Sequence, residues 1–110
     1  MISFLGLQEK DLTRLALLQK ADGSYSLDDR LASIVGINIR TLQEEGEKND
    51  WDPEAWATVT VLAYFTARLT SFSEDWELLA DKSKLWLSEH YEDTVVEEMF
   101  ERALSFFPVA

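Results

Sequence analysis

Asp52-Pro53-Glu54 leads into a charge-free run of 13 residues, Ala55 to Ala67, and this constrains the fold more than any other feature. An aspartate that can cap, a proline at the first helical position and an acid in the first turn together mark a helix start. The helix is expected to run from Pro53 to about Thr70. Its middle carries Trp56, Val59, Val61, Leu62, Ala63, Tyr64 and Phe65, apolar on nearly every face. A helix apolar all round is normally buried, so this one should be a central post with other elements packed around it. Val59-Thr60-Val61 is β-branched and is the one place where a strand can be argued. The helix start before it and the lack of nearby turn residues decide against that.

The rest of the chain supplies further helices. Gln8 to Lys20 places Leu12, Leu15, Ala16 and Leu18 at helical spacing, and the turn pair Asp22-Gly23 stops it. A short helix from Ser26 or Leu27 to Val35 has Asp28 and Asp29 in its first turn and Gly36 at its C′ position. Asn38 should cap a third helix, Ile39 to Glu45, ending near Gly46, with Glu47 to Asp50 as a flexible loop. Ser73 is the expected cap of a helix from Glu74 to about His90. One face of that helix carries Trp76, Leu79, Ala80, Ser83, Trp86 and Leu87. Thr94-Val95-Val96-Glu97 fits a capping box and opens a last helix to Phe107, with Val96, Met99, Phe100, Ala103, Leu104 and Phe107 as its buried stripe. The predicted fold is all-α: a compact bundle of about five to six helices, three of them long, around the post at 53–70. No repeat or low-complexity tract divides the chain, and 110 residues fit one domain.

Charge and composition narrow the function. Ten Lys and Arg stand against 21 Asp and Glu, a net charge of −11. That sign opposes binding to nucleic acid and to anionic membranes, so a partner should offer a basic or a hydrophobic surface. The absence of cysteine excludes disulfides, thiolate zinc sites and cysteine nucleophiles, and fits a cytoplasmic setting. The start of the chain, Ile2 to Leu7, is too short and lacks the basic lead of a signal peptide. No run approaches the roughly 20 apolar residues of a membrane span.

Chemistry-bearing constellations are weak. The lone histidine, His90, lacks a second strong ligand at helical spacing and reads as a helix-end residue meeting the negative dipole terminus. Asp22, Ser24, Ser26, Asp28 and Asp29 look superficially like a calcium loop, but Gly23 falls at the wrong position and the closing glutamate is missing. Asp28-Asp29 serves a helix start better than a diphosphate. No phosphate-cradling glycine loop and no Ser/His/Asp triad can be built. The chain is therefore expected to be non-catalytic, with no metal and no cofactor.

Four motifs stand in an informative order. Leu18-Gln19-Lys20-Ala21-Asp22-Gly23-Ser24-Tyr25 closes the first helix. Leu31-Ala32-Ser33-Ile34-Val35-Gly36 follows, then Trp56-Ala57-Thr58, then Trp76-Glu77-Leu78-Leu79 with Lys84 and Trp86. From Leu12 to Ser88 this resembles the C-terminal domain of proteins carrying a VIT domain and a von Willebrand factor A domain. That domain is related to the segment that docks the vault poly(ADP-ribose) polymerase onto the major vault protein. The resemblance departs at Tyr25, where the family usually has Trp. It implies a domain at the end of a longer protein, and a protein–protein interaction role whose partner would be the major vault protein.

Physically the fingerprint residues Gln19, Asp22, Gly23, Tyr25, Gly36, Trp56, Trp76 and Trp86 read as scaffold: Gly23 lets the chain reverse and the large rings fill a core. Contact with a partner would fall to apolar residues left over, for which the candidates are Ile2, Phe4, Leu5, Leu7, Phe72, Phe106 and Val109. The alternative is a structural domain that self-associates or packs within its parent protein.

Overall fold

The computed structural model describes residues 4–108, with side chains from Glu9 onward. The order is α1 (Phe4–Leu18), α2 (Asp29–Val35), α3 (Ile39–Lys48), α4 (Pro53–Arg68), a 3-10 turn (Thr70–Phe72), α5 (Ser73–His90) and α6 (Asp93–Leu104). The described residues contain no strand. The fold is an all-α bundle.

α4 is the post. Asp52 Oδ1 accepts hydrogen bonds from the amides of Glu54 (2.9 Å) and Ala55 (3.4 Å), and Pro53 follows. Every residue from Ala55 to Phe65 is buried. The threonine hydroxyls in this apolar rod are satisfied locally: Thr58 donates to the Glu54 carbonyl and Thr60 to that of Trp56, each at 2.7 Å. This back-bonding answers the strand question. A buried threonine with its own helix carbonyl as acceptor needs no cross-strand partner. α5 and α6 both pack on α4 more than on one another.

Several helix ends differ from the sequence reading. α3 does not stop at Gly46 but continues to Lys48, so the expected loop at 47–50 shrinks to a turn. Gly46 is buried inside the helix, and a Cβ there would lie 3.2 Å from Trp56 Cδ1. Its smallness makes room for an indole. The actual stop is Asn49, whose side chain donates to the Glu45 carbonyl (2.8 Å), followed by Asp50 in the left-handed region (φ 57°). Ser73 is not a cap but the first residue of α5, since the preceding 3-10 turn already carries the chain into helical geometry. Thr94 forms no capping box: α6 starts one residue earlier at Asp93, and the Glu92 carbonyl takes the amides of Val95 and Val96. At the far end α6 stops at Leu104, and Phe107 is buried from a turn beyond it.

α2 starts at Asp29, not at Ser26 or Leu27, so Asp28 is its cap rather than a first-turn residue. Asp28 accepts from the Leu31 amide (3.0 Å), and Gly36 closes the helix at φ 76°. α1 begins before Gln8, at Phe4, and ends at Leu18.

Candidate functional site

The segment after α1 is a clasp. Gly23 adopts φ 98°, and a Cβ on it would sit 2.5 Å from the Lys82 carbonyl oxygen of α5. Glycine is therefore required twice over, by conformation and by the closeness of another helix. Asp22 Oδ1 accepts from the Ser24 amide (2.9 Å) and hydroxyl (2.6 Å), which folds the turn. These two Ser24 bonds, side chain first, hold the Asp22 carboxyl below its ordinary range.

Ser83 of α5 docks this turn. Its hydroxyl, fully buried, donates to the Gly23 carbonyl (2.7 Å) and accepts from Gln19 Nε2 (3.1 Å). Gln19 Nε2 also donates to the Leu79 carbonyl (2.9 Å). The Tyr25 amide donates to Thr58 Oγ1 of α4 (3.0 Å). Three helices are joined through one reversal. Ser83 was on the expected buried stripe but not among the singled-out residues. A lone hydroxyl in an apolar stripe was the available signal, because buried polar groups need partners.

Tyr25 is the exception to that satisfaction. Its ring is fully buried, yet its hydroxyl has no hydrogen-bond partner. Burial raises its ionisation well above the usual tyrosine value.

The tryptophans divide into core and wall. Trp56 is fully buried and donates Nε1–H to the Leu42 carbonyl (2.9 Å), with Trp51 4.9 Å away ring to ring. Trp51 completes this cluster and was not among the fingerprint residues. Trp86 lies against His90 and Tyr91 at the end of α5. His90 Nδ1 lies 2.8 Å from the Trp86 carbonyl, so it donates there as a helix-end residue. Trp76 is half-buried, stacks on Phe65 at 5.2 Å and donates to the Leu69 carbonyl (2.7 Å).

Trp76 also walls a groove of about 510 Å³ that runs between α5 and α6 above α4. Its floor is Val59 and Leu62 of α4; Ala80 and Leu87 of α5 and Val96 and Phe100 of α6 form its sides. The α6 rim carries Asp93, Glu97 and Glu101, all exposed, and the α5 rim carries Lys84. Glu97, expected to serve a capping box, instead lines this groove. A second hollow of about 490 Å³ lies between α1 and α2, with Leu17, Leu18 and Ile34 among its lining.

The structure does not gather the expected interface residues into one patch. Phe72 and Phe106 are both partly buried against the core, and Phe106 faces Trp56 at 6.4 Å. Phe4, Leu5 and Leu7 lie in α1 with side chains outside the described set, and Ile2 and Val109 lie outside the described residues altogether. Among the described residues the large apolar side chains that are exposed are Leu17 (80%), Leu78 (81%) and Leu85 (60%). Among the described residues no group of three or more His, Asp or Glu could hold a metal ion, and no helix is long and apolar enough to cross a membrane.

Fold and groove define a small all-α bundle with a helix-lined trough on one side. Its homologues are von Willebrand factor A domain-containing proteins. Over 82 residues, 74% of this chain, it is 35% identical to von Willebrand factor A domain-containing protein 5A of Mus musculus, of which it covers 10%. A von Willebrand factor A domain-containing protein of Dictyostelium discoideum is 34% identical over 97 residues, 82% of this chain and 5% of that protein. The Homo sapiens protein 5A is 28% identical over 90 residues, 82% of this chain and 12% of its own length. The chain thus spans a small fraction of the curated relatives it matches. No family model and no solved structure matches it.

Proposed function

We propose that this chain is a non-catalytic protein–protein interaction module. One observation carries the reading: α5 and α6 pack on α4 but leave an apolar trough between them that no described side chain fills. The fingerprint residues support it by exclusion, since Gln19, Gly23 and Trp56 are used up in holding the bundle together. The shifted carboxylates are likewise committed to structure. Asp22 closes the clasp, Asp28 caps α2, and Glu45 pairs with Arg102 at 2.6 Å.

The partner implied by the resemblance is the major vault protein. Incubating the purified chain with purified vault particles and sedimenting them tests this. Co-sedimentation that saturates is the expected result; a chain that stays in the supernatant at all ratios overturns the vault assignment.

A second reading, self-association, is favoured by Leu78 and Leu85, exposed one heptad apart on α5. Light scattering across a concentration series separates the two. A dimer abolished by Leu78→Lys and Leu85→Lys supports self-association, and a monomer at all concentrations removes it.

A further inference from the structure

We infer that the trough between α5 and α6 is a docking site for an amphipathic helix of a protein partner, one whose apolar face is flanked by lysine and arginine. This deepens the interaction-module reading and rests on it.

The shape argument comes first. α4 supplies a floor of Val59 and Leu62, while Trp76 and Phe100 stand on opposite sides. Two helices flanking a third, with an apolar floor between them, offer the surface that a fourth helix would cover with anchors at i, i+3/i+4 and i+7. The volume, about 510 Å³, accommodates a few large aliphatic side chains.

The charge argument picks the occupant. Asp93, Glu97 and Glu101 follow each other at four-residue intervals along the α6 rim. At about 1.5 Å rise per residue they form a stripe roughly 12 Å long. Lys84 is the one cation among the groove's lining residues. A helix lying in the trough would meet three carboxylates along one edge, so its own edge there must be basic. A second copy of this chain is the wrong match, because each copy carries −11 and would bring further carboxylates to the rim. An anionic lipid surface is opposed by the same stripe.

The test uses the whole chain and three synthetic 18-residue peptides: one with leucines on one face and lysines flanking it, the same peptide with glutamates for the lysines, and a scramble of the first that keeps composition but destroys the face. Trp76 in the groove wall reports binding by fluorescence, with calorimetry for affinity. The basic amphipathic peptide should bind, and its affinity should fall with added salt. The acidic and scrambled peptides should bind at least about tenfold more weakly, as should the basic peptide to Glu97→Lys/Glu101→Lys. Both substituted positions are exposed, and circular dichroism with thermal melting verifies that the variant stays folded. Val96→Lys, at the groove side, should abolish binding, whereas Leu78→Lys on the opposite face of α5 should leave it unchanged. Equal binding of the scramble, or indifference to Glu97→Lys/Glu101→Lys and to Val96→Lys, overturns the proposal.

The two readings fail separately. If vault particles are bound equally by the chain and by its Glu97→Lys/Glu101→Lys and Val96→Lys variants while the peptide discriminations are absent, the interaction module stands and this site for it falls. If the peptides discriminate as expected and vault particles are never bound, the site stands and the vault assignment falls.

Discussion

The clasp at Gln19–Tyr25 and the trough between α5 and α6 use the same helix in opposite ways. On one side of α5, Ser83 and the carbonyls of Leu79 and Lys82 meet the clasp so closely that a methyl group does not fit. Farther along the same face, Trp76, Ala80 and Leu87 line the trough instead. The clasp is built from one whole motif of the sequence, whereas the trough takes only Trp76 and Lys84 from the ordered motifs. Conspicuous residues here report how the bundle is locked, and the capacity to bind lies where the lock leaves a gap.

That contrast can be broken most forcefully at Gly23. Gly23→Ala forces a side chain into the left-handed region and against a helix backbone, and should cost about 3 kcal/mol or more. Chemical denaturation measures it, and a loss below about 1 kcal/mol would mean the clasp can relax away from α5. Ser83→Ala comes next. It strips the Gly23 carbonyl of a buried donor and Gln19 of an acceptor, and should destabilise by about 1–3 kcal/mol.

Tyr25→Phe sharpens the picture with the opposite sign. Removing a buried hydroxyl that has no partner should stabilise by about 1 kcal/mol. The pH dependence follows from the same group. Burial raises the ionisation of Tyr25 above its ordinary 10.0, and burial with the hydrogen bond to Asp11 raises that of Tyr64. Below pH 10 both states keep the proton, and the contribution is complete. Above pH 10 the unfolded chain releases it first, so stability falls as pH rises. Urea midpoints between pH 8 and 11.5 should show this decline, and it should be shallower in Tyr25→Phe. The smallest effect is expected at the trough's rim, where Glu97→Lys/Glu101→Lys should change the unfolding free energy measured by denaturation by no more than about 0.5 kcal/mol.

The helices of the bundle were legible because their signals are local. Asp52 and Asn38 each act within three residues, and each caps the helix it precedes. Gly46 misled because the sequence does not tell a glycine that ends a helix from one that clears space for Trp56, a partner ten positions on. Thr94 misled because a backbone start at Asp93 competes with a side-chain cap and costs no rotamer freedom. The trough was not legible at all. Val96 and Phe100 read as buried stripe, and whether a stripe is covered depends on how far α5 and α6 splay over α4. The clasp's far side, Ser83, lies about 60 positions from the motif it completes, a separation of 60 for Gly23 and 64 for Gln19.

That separation has a mechanical side. A pull on the amino end would have to break the Tyr64–Asp11 bond and draw Leu15 out of the core before the tension reached Gln19. There the load would pass at once into α5, across bonds that shear together, so the rest of the bundle would hold until it gave way as a unit.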